Sequence, residues 1–220
     1  MEEMTFSARG VILMMYKKLL KRIIDFILAL IGLIVLSPVF LILIIAIKSD
    51  SKGPILFKQK RMGAGKKHFQ ILKFRTMYVD TPKDVPTHLL TNAEAFITKT
   101  GSFLRKTSLD ELPQLINILM GNMAVIGPRP ALWNQEDLIN LRDECGANDI
   151  RPGLTGYAQV NGRDELEIET KAFLDGEYAK KMSLAFDISI FFKTIFNVLG
   201  RKGIVDNPVE DNQVKELINS

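Results

Sequence analysis

Hydrophobic and polar positions segregate sharply along this chain. From Phe26 to Ile47 there are 22 consecutive residues without a charge, and only Gly32, Ser37 and Pro38 fall outside the hydrophobic set. About 20 apolar residues cross a bilayer core of roughly 30 Å, so the plainest reading is one transmembrane helix. Ser37-Pro38 near the middle weakens it. Proline lacks the amide that would bond the carbonyl of Ile34, and its ring clashes there; the Ser37 hydroxyl can recapture a freed carbonyl. At about 1.5 Å per residue, the halves Phe26–Leu36 and Val39–Ile47 each reach only half a bilayer. Lys17, Lys18, Lys21 and Arg22 precede the run, and Lys48, Lys52, Lys58, Lys60, Arg61, Lys66 and Lys67 follow it, against the single acid Asp50. Flanks of that sign belong on the cytoplasmic side. A straight span cannot put both there; a re-entrant helix that turns back at Ser37-Pro38 can. The pattern alone leaves both open. A signal peptide fits less well, because the run is too long and no A-x-A site precedes Lys48. Asp25 is placed to pair with Lys21 or Arg22 at headgroup depth.

The remaining pattern predicts one mixed domain. Ile55–Gln59 and Phe69–Phe74 are short apolar-aromatic runs around Gly63-Ala64-Gly65, a hairpin signal. Residues 80–92 are Thr-, Pro- and Asp-rich and read as loop, and Asn92–Arg105 holds a short helix. Leu109, Leu112, Leu115, Ile116 and Leu119 follow helical spacing up to Gly121. Gly127-Pro128-Arg129-Pro130 must be irregular. Trp133–Glu144 reads as helix, Arg151–Arg163 mostly as loop, and Leu166–Lys180 and Leu184–Leu199 as helices. The last of these is apolar over too wide an arc for one core face. It is either an interfacial helix lying in lipid headgroups or a helix buried on most sides. The fold class expected is α+β, mostly helical: residues 1–15 an irregular leader, 16–50 the membrane helix-break-helix, 51–205 a small cytosolic catalytic domain with interfacial amphipathic helices, and 206–220 a tail.

Composition narrows the function. Two hundred and twenty residues make one ordinary domain, and a net charge of +4 beside one greasy segment suggests an anionic membrane surface rather than nucleic acid. A single cysteine, Cys145, excludes an internal disulfide and reads as a packed thiol. His68 and His88 leave little for a histidine zinc site or a Ser-His-Asp triad, and read as surface or loop residues.

The strongest chemical candidate is the adjacent pair Asp110-Glu111. Ser108-Leu109-Asp110-Glu111 also fits a capping box, in which both acids would be structural. Pro113 sits awkwardly in that register. If the helix starts near Pro113 instead, both carboxylates lie at its positive end, where they stay ionised and can hold Mg²⁺ or attack an electrophile. Arg105, Arg129, Arg151 and Arg163 sit in Gly/Pro-rich or irregular stretches, and Lys73 and Arg75 follow a strand signal. Singly each suits a surface ion pair; together they suit a phosphate-rich ligand such as a pyrophosphate. Neither a G-x-x-x-x-G-K-[ST] loop nor G-x-G-x-x-G is present, which disfavours the common nucleotide folds.

The order of motifs resembles the bacterial sugar transferase family, the monotopic phosphoglycosyl transferases, in its small form. The matching stretches are Lys21–Asp25 with Ser37-Pro38, Lys73-Phe74-Arg75-Thr76-Met77, Ser108–Leu115, Gly127–Pro130 and Arg151–Arg163, in family order across about residues 16–205. Tyr157 stands where many members have Trp. The resemblance implies transfer of sugar-1-phosphate from a UDP-sugar to polyprenyl (undecaprenyl) phosphate with release of UMP, at the cytoplasmic face of the bacterial inner membrane. It implies a ping-pong course in which Asp110 attacks the sugar-proximal phosphorus, and Mg²⁺ held by Glu111 and Asp110. It places Lys73, Arg75, Arg105, Arg129, Gln159 and Arg163 in the substrate-binding set, favours the re-entrant reading of Ser37-Pro38, and points to lipid headgroups as a partner. A homodimer is left open. The readings set against it are an anchored binding module without chemistry and a hydrolase of nucleotide diphosphate sugars.

Overall fold

The computed structural model describes residues 13–81, 93–162 and 166–200. A π-helical turn, Tyr16–Leu20, runs into α1 (Lys21–Val35), and α2 (Ser37–Asp50) follows after a 62° bend. The bend has the cause expected from the sequence: Pro38 has no amide to give, and the Ser37 hydroxyl donates to the Ile34 carbonyl at 2.8 Å. Among the described residues no single helix is long and apolar enough to cross a membrane; the bent pair together has the length and composition.

Strands β1 (Leu56–Met62) and β2 (His68–Phe74) form the antiparallel hairpin the apolar runs predict, in register from Leu56 opposite Phe74 to Met62 opposite His68. Next come α3 (Lys99–Thr107), a 3-10 turn (Leu109–Glu111) and α4 (Gln114–Leu119). Then β3 (Ala124–Ile126), α5 (Glu136–Glu144), β4 (Gly153–Thr155), α6 (Tyr157–Val160), α7 (Ile168–Lys181) and α8 (Leu184–Leu199) follow among the described residues. β3 and β4 pair in parallel.

Several expectations shift. The capping box does not form: Ser108 adopts φ 56°, ψ 16° and its side chain caps nothing, so the Asp110-Glu111 turn stands before a helix that begins after Pro113. Part of the expected loop 151–163 is β4 and α6. The helix expected from Trp133 starts at Glu136, and the one expected within 92–105 starts at Lys99, where Thr98 accepts the Gly101 amide. The loop expected at 80–92 lies mostly outside the described residues.

The hydrophobic clusters cross from the bent pair into the rest of the chain. Ala29, with Leu33 and Leu36, packs with Ile71, Leu115, Ile118 and Met123. Leu43 and Ile47, with Val39 and Phe40, pack with Phe74, Leu104 and Leu112. The outer sides stay bare, with Ile34, Val35 and Ile42 each more than 60% exposed. Polar ties reinforce the packing. Arg22 donates to the carbonyls of Ile118 (2.6 Å) and Leu119 (2.9 Å), capping α4. Asp25 accepts the Val125 amide at 3.0 Å and pairs with Lys21 at 3.7 Å, the first of its two expected partners. Asp187 of α8 accepts from Tyr16, from Lys21 at 2.6 Å and from Tyr178 at 2.7 Å, so segments more than 150 residues apart meet in one buried polar knot.

Candidate active site

Three segments bring the charged groups together. The turn after α3 carries Asp110 and Glu111, the end of β2 carries Lys73, and the irregular run after β3 carries Arg129. Lys73 Nζ donates to Glu111 Oε1 at 2.7 Å and stands 3.9 Å from Asp110 Oδ2; Arg129 lies 3.3 Å from the same Glu111 oxygen. Arg105, in the last turn of α3, lines the same cleft of about 410 Å³, as do Thr155 and Gln159. Asn117 secures the arrangement: its Oδ1 accepts the Leu72 amide and its Nδ2 donates to the Gln70 carbonyl, fastening α4 to β2 next to Lys73.

Arg129 is set by a close approach of two backbones. Gly127 N donates to Thr155 O at 2.9 Å, and Gly153 N to Pro128 O at 2.8 Å. A Cβ on Gly153 would strike the Gly127 backbone, and one on Gly156 would strike the Gly127 carbonyl oxygen. The glycines of the two motifs are therefore needed for contact with each other. The buried guanidinium of Arg142 then donates to the Arg129 carbonyl at 3.0 Å while it grips Asp175.

The two carboxylates differ. Burial alone would raise the pKa of Glu111, but the charges of Lys73 and Arg129, with their hydrogen bonds, outweigh it and hold the group at about 2. Burial raises Asp110 above the ordinary carboxylate value against the pull of Lys73, and the Glu111 charge adds to the rise. The charged form of Glu111 is thus held by two cations, whereas that of Asp110 has less support.

The sequence-predicted residues divide accordingly. Asp110, Glu111, Lys73, Arg105, Arg129 and Gln159 meet in the cleft. Arg75 does not: it is 5% exposed and donates to the carbonyls of Ile47, Ser51 and Lys52, tying off the end of α2. Both terminal nitrogens of its guanidinium are taken up by backbone carbonyls, and it does not line the cleft. Arg151 is exposed and donates to Gly121 O, away from the cleft lining. Arg163 lies outside the described residues. Sequence reasoning missed α8 as a wall of the site: Phe191, Thr194, Ile195, Asn197 and Val198 all line the cleft. Its broad apolar arc was the available signal, but an arc does not say what it faces.

Among the described residues, no cluster of three or more His, Cys, Asp or Glu side chains is placed to hold a metal. Two adjacent carboxylates do not make an all-protein cage. They do fit Mg²⁺, which usually takes one or two carboxylates and completes its shell with water and substrate phosphates.

The cleft thus sets paired carboxylates under a lysine and arginines. The chain belongs to the bacterial sugar transferase family, whose model matches residues 16–201. It is 41% identical over 186 residues to the UDP-glucose:undecaprenyl-phosphate glucose-1-phosphate transferase of Escherichia coli, covering 81% of this chain and 40% of that protein. It is 37% identical over 191 residues to the exopolysaccharide production protein ExoY of Sinorhizobium fredii, covering 80% and 83% of the two chains. It is 38% identical over 186 residues to an uncharacterized sugar transferase, EpsL, of Bacillus subtilis, covering 84% and 90%. The chain thus spans about two-fifths of the Escherichia coli protein and most of the other two.

Proposed function

We propose that the protein is a phosphoglycosyl transferase that moves sugar-1-phosphate from a UDP-sugar to polyprenyl phosphate and releases UMP, an initiating step in bacterial polysaccharide or glycoconjugate assembly. The observation that carries this is the unequal carboxylate pair within reach of Lys73 and Arg129. An Asp110 oxygen forms a bond to the sugar-side phosphorus as the bond from that phosphorus to the bridging oxygen breaks, and UMP leaves. An oxygen of the acceptor phosphate then bonds to the same phosphorus and displaces the aspartate. Lys73, Arg105 and Arg129 hold the phosphoryl oxygens, since such transfers depend mainly on positioning and charge stabilisation. Asp110 and Glu111 are the residues that would hold Mg²⁺, which neutralises diphosphate charge when bound.

The test is UMP release across a panel of UDP-sugars, with and without undecaprenyl phosphate. Acceptor-dependent release is expected. UMP release without acceptor at a sustained rate would make the protein a hydrolase, and no release at all would leave a binding module. Arg129→Ala should lower kcat/KM roughly 10- to 150-fold, the loss of one charge-assisted contact; unchanged kinetics would remove Arg129 from the site.

The 62° break, the shared clusters and the bare outer faces support a re-entrant hairpin that keeps both flanks on the cytoplasmic side. Cysteine probes near residues 5 and 205, with Cys145 removed, should both resist an impermeant thiol reagent in intact cells. Labelling of the first probe alone would establish a span. Replacing Ser37 and Pro38 together by Ala should straighten the helix and expose that probe.

A further inference from the structure

The cleft has two chemical halves. Lys73, Arg105 and Arg129 surround the carboxylates. The α8 wall is different: Phe191, Ile195 and Val198 share one face by i, i+4, i+7 spacing and line the cleft alongside Leu112, Val125 and Leu154. The polar groups of that helix bordering the cleft are engaged locally. Thr194 Oγ1 is 2.8 Å from Thr155 Oγ1 and also donates to Ile190 O, and Asn197 Nδ2 donates to Val160 O at 3.1 Å. The larger part of what α8 offers a ligand here is hydrocarbon.

This apolar face does not stop at the cleft. Phe191 and Val198 are 41% and 44% exposed, and the adjoining side of α8 carries the exposed Ile188, Phe192 and Phe196. Ile190 and Asp187, nearer the start of the helix, are buried against the rest of the protein. One hydrocarbon surface therefore leads from the outside of the molecule to the cationic half of the cleft. A UDP-sugar carries hydroxyls and charged oxygens over most of its length and matches the cationic half only. A polyprenyl phosphate joins its anionic head directly to a branched hydrocarbon chain, and so matches the two halves in order.

We infer that Phe191, Ile195 and Val198 seat the isoprene units nearest the acceptor's phosphate, with the chain leaving along the outer face of α8. This deepens the transferase reading and rests on it. The expected selectivity is for a branched unsaturated chain next to the phosphate, since apolar burial scales with the area removed from water.

The test uses the full chain in nanodiscs with UDP-sugar and either farnesyl or undecaprenyl phosphate. Ile195→Ala and Phe191→Ala should each raise the acceptor KM roughly 5- to 30-fold, as loss of a few buried methylene equivalents predicts, with the donor KM within about twofold of wild type. The factor should be the same for both acceptors, because only the phosphate-proximal units are held. Ile195→Leu should keep the wild-type acceptor KM, which separates loss of apolar contact from loss of fold. A rise confined to the donor KM would mean that the stripe faces the nucleotide, and would overturn the inference. So would an effect that vanishes with farnesyl phosphate, or acceptor kinetics unchanged in both variants. If the wild-type protein released no UMP with either acceptor, the transferase reading would fall, and this inference with it.

Discussion

Asp110→Asn and Glu111→Gln should both stop turnover, yet move thermal stability in opposite directions. A neutral amide at 110 is a poor nucleophile, and losing a central catalytic group costs roughly 10³-fold or more in kcat. The stability signs follow from the two pKa directions. Asp110 is raised by burial and by Glu111, so its charge is disfavoured in the folded state relative to the unfolded chain. Replacing that charge with an amide of the same shape should raise Tm in metal-free buffer. Glu111 is held at about 2, below its unfolded value of 4.5, so it contributes stability above pH 4.5 that disappears as pH falls towards 2. Glu111→Gln forfeits that contribution, on the order of 3 kcal/mol, and removes the charge that Lys73 and Arg129 face. The same asymmetry places the acid limb of the wild-type pH–rate profile above the ordinary aspartate range, because Asp110 must be ionised to attack. Intact-mass analysis with UDP-sugar alone should show a sugar-phosphate adduct on the peptide containing Asp110 and none in Asp110→Asn. A lower Tm for Asp110→Asn, or an adduct on Glu111, would reverse the roles assigned here.

Arg142→Ala should be among the most destabilising single changes in the chain, although Arg142 is not itself part of the cleft lining. Its guanidinium donates to Asp175 through Nε at 2.9 Å and through a second nitrogen, and both side chains are at most 5% exposed. Removing one partner of a buried pair leaves the other charge uncompensated, typically at a cost of ~3–5 kcal/mol. For a chain of this size that is a fall in Tm of roughly 6–20 °C. Asp175 already has a raised pKa from burial, opposed by Arg142. Without the arginine it takes up a proton more readily, so the deficit should shrink as pH is lowered. Arg142→Ala also frees the carbonyl of Arg129, so kcat/KM should drop at temperatures where the fold persists. Arg142→Lys keeps the charge but loses the fork and should fall between the two. Melting curves at two pH values check this; a deficit independent of pH would mean that packing, and not the buried charge, sets the cost.

What could be read along the chain was what depends on near neighbours. Proline and serine chemistry at Ser37-Pro38 acts within one helical turn, so the break was legible. The β1–β2 hairpin was legible because its apolar runs flank a glycine turn. The place of Arg75 was not legible, because its partners are carbonyls at the end of α2, more than twenty residues earlier. Strands β3 and β4 carry Gly and Pro on their margins and only three residues each, too short for any period to show. The polar knot around Asp187 joins residues more than 160 positions apart, a pairing no local pattern encodes. The cleft's cationic half was readable as residue types, whereas its hydrocarbon half needed α8 to be placed in space.

Because Leu33, Leu36, Val39 and Phe40 fill the same clusters as Leu112, Leu115 and Phe74, the hairpin and the chemistry cannot be cut apart. Deleting the greasy segment to obtain a water-soluble enzyme would uncover the underside of the very turn that carries Asp110. Such a truncate should aggregate or melt without a cooperative transition. The route to a tractable soluble form is the opposite one: keep every inward residue of α1 and α2, and exchange the bare outer positions Ile34, Val35 and Ile42 for polar ones. The bare outer coat of this helix pair is replaceable; its lining is structural.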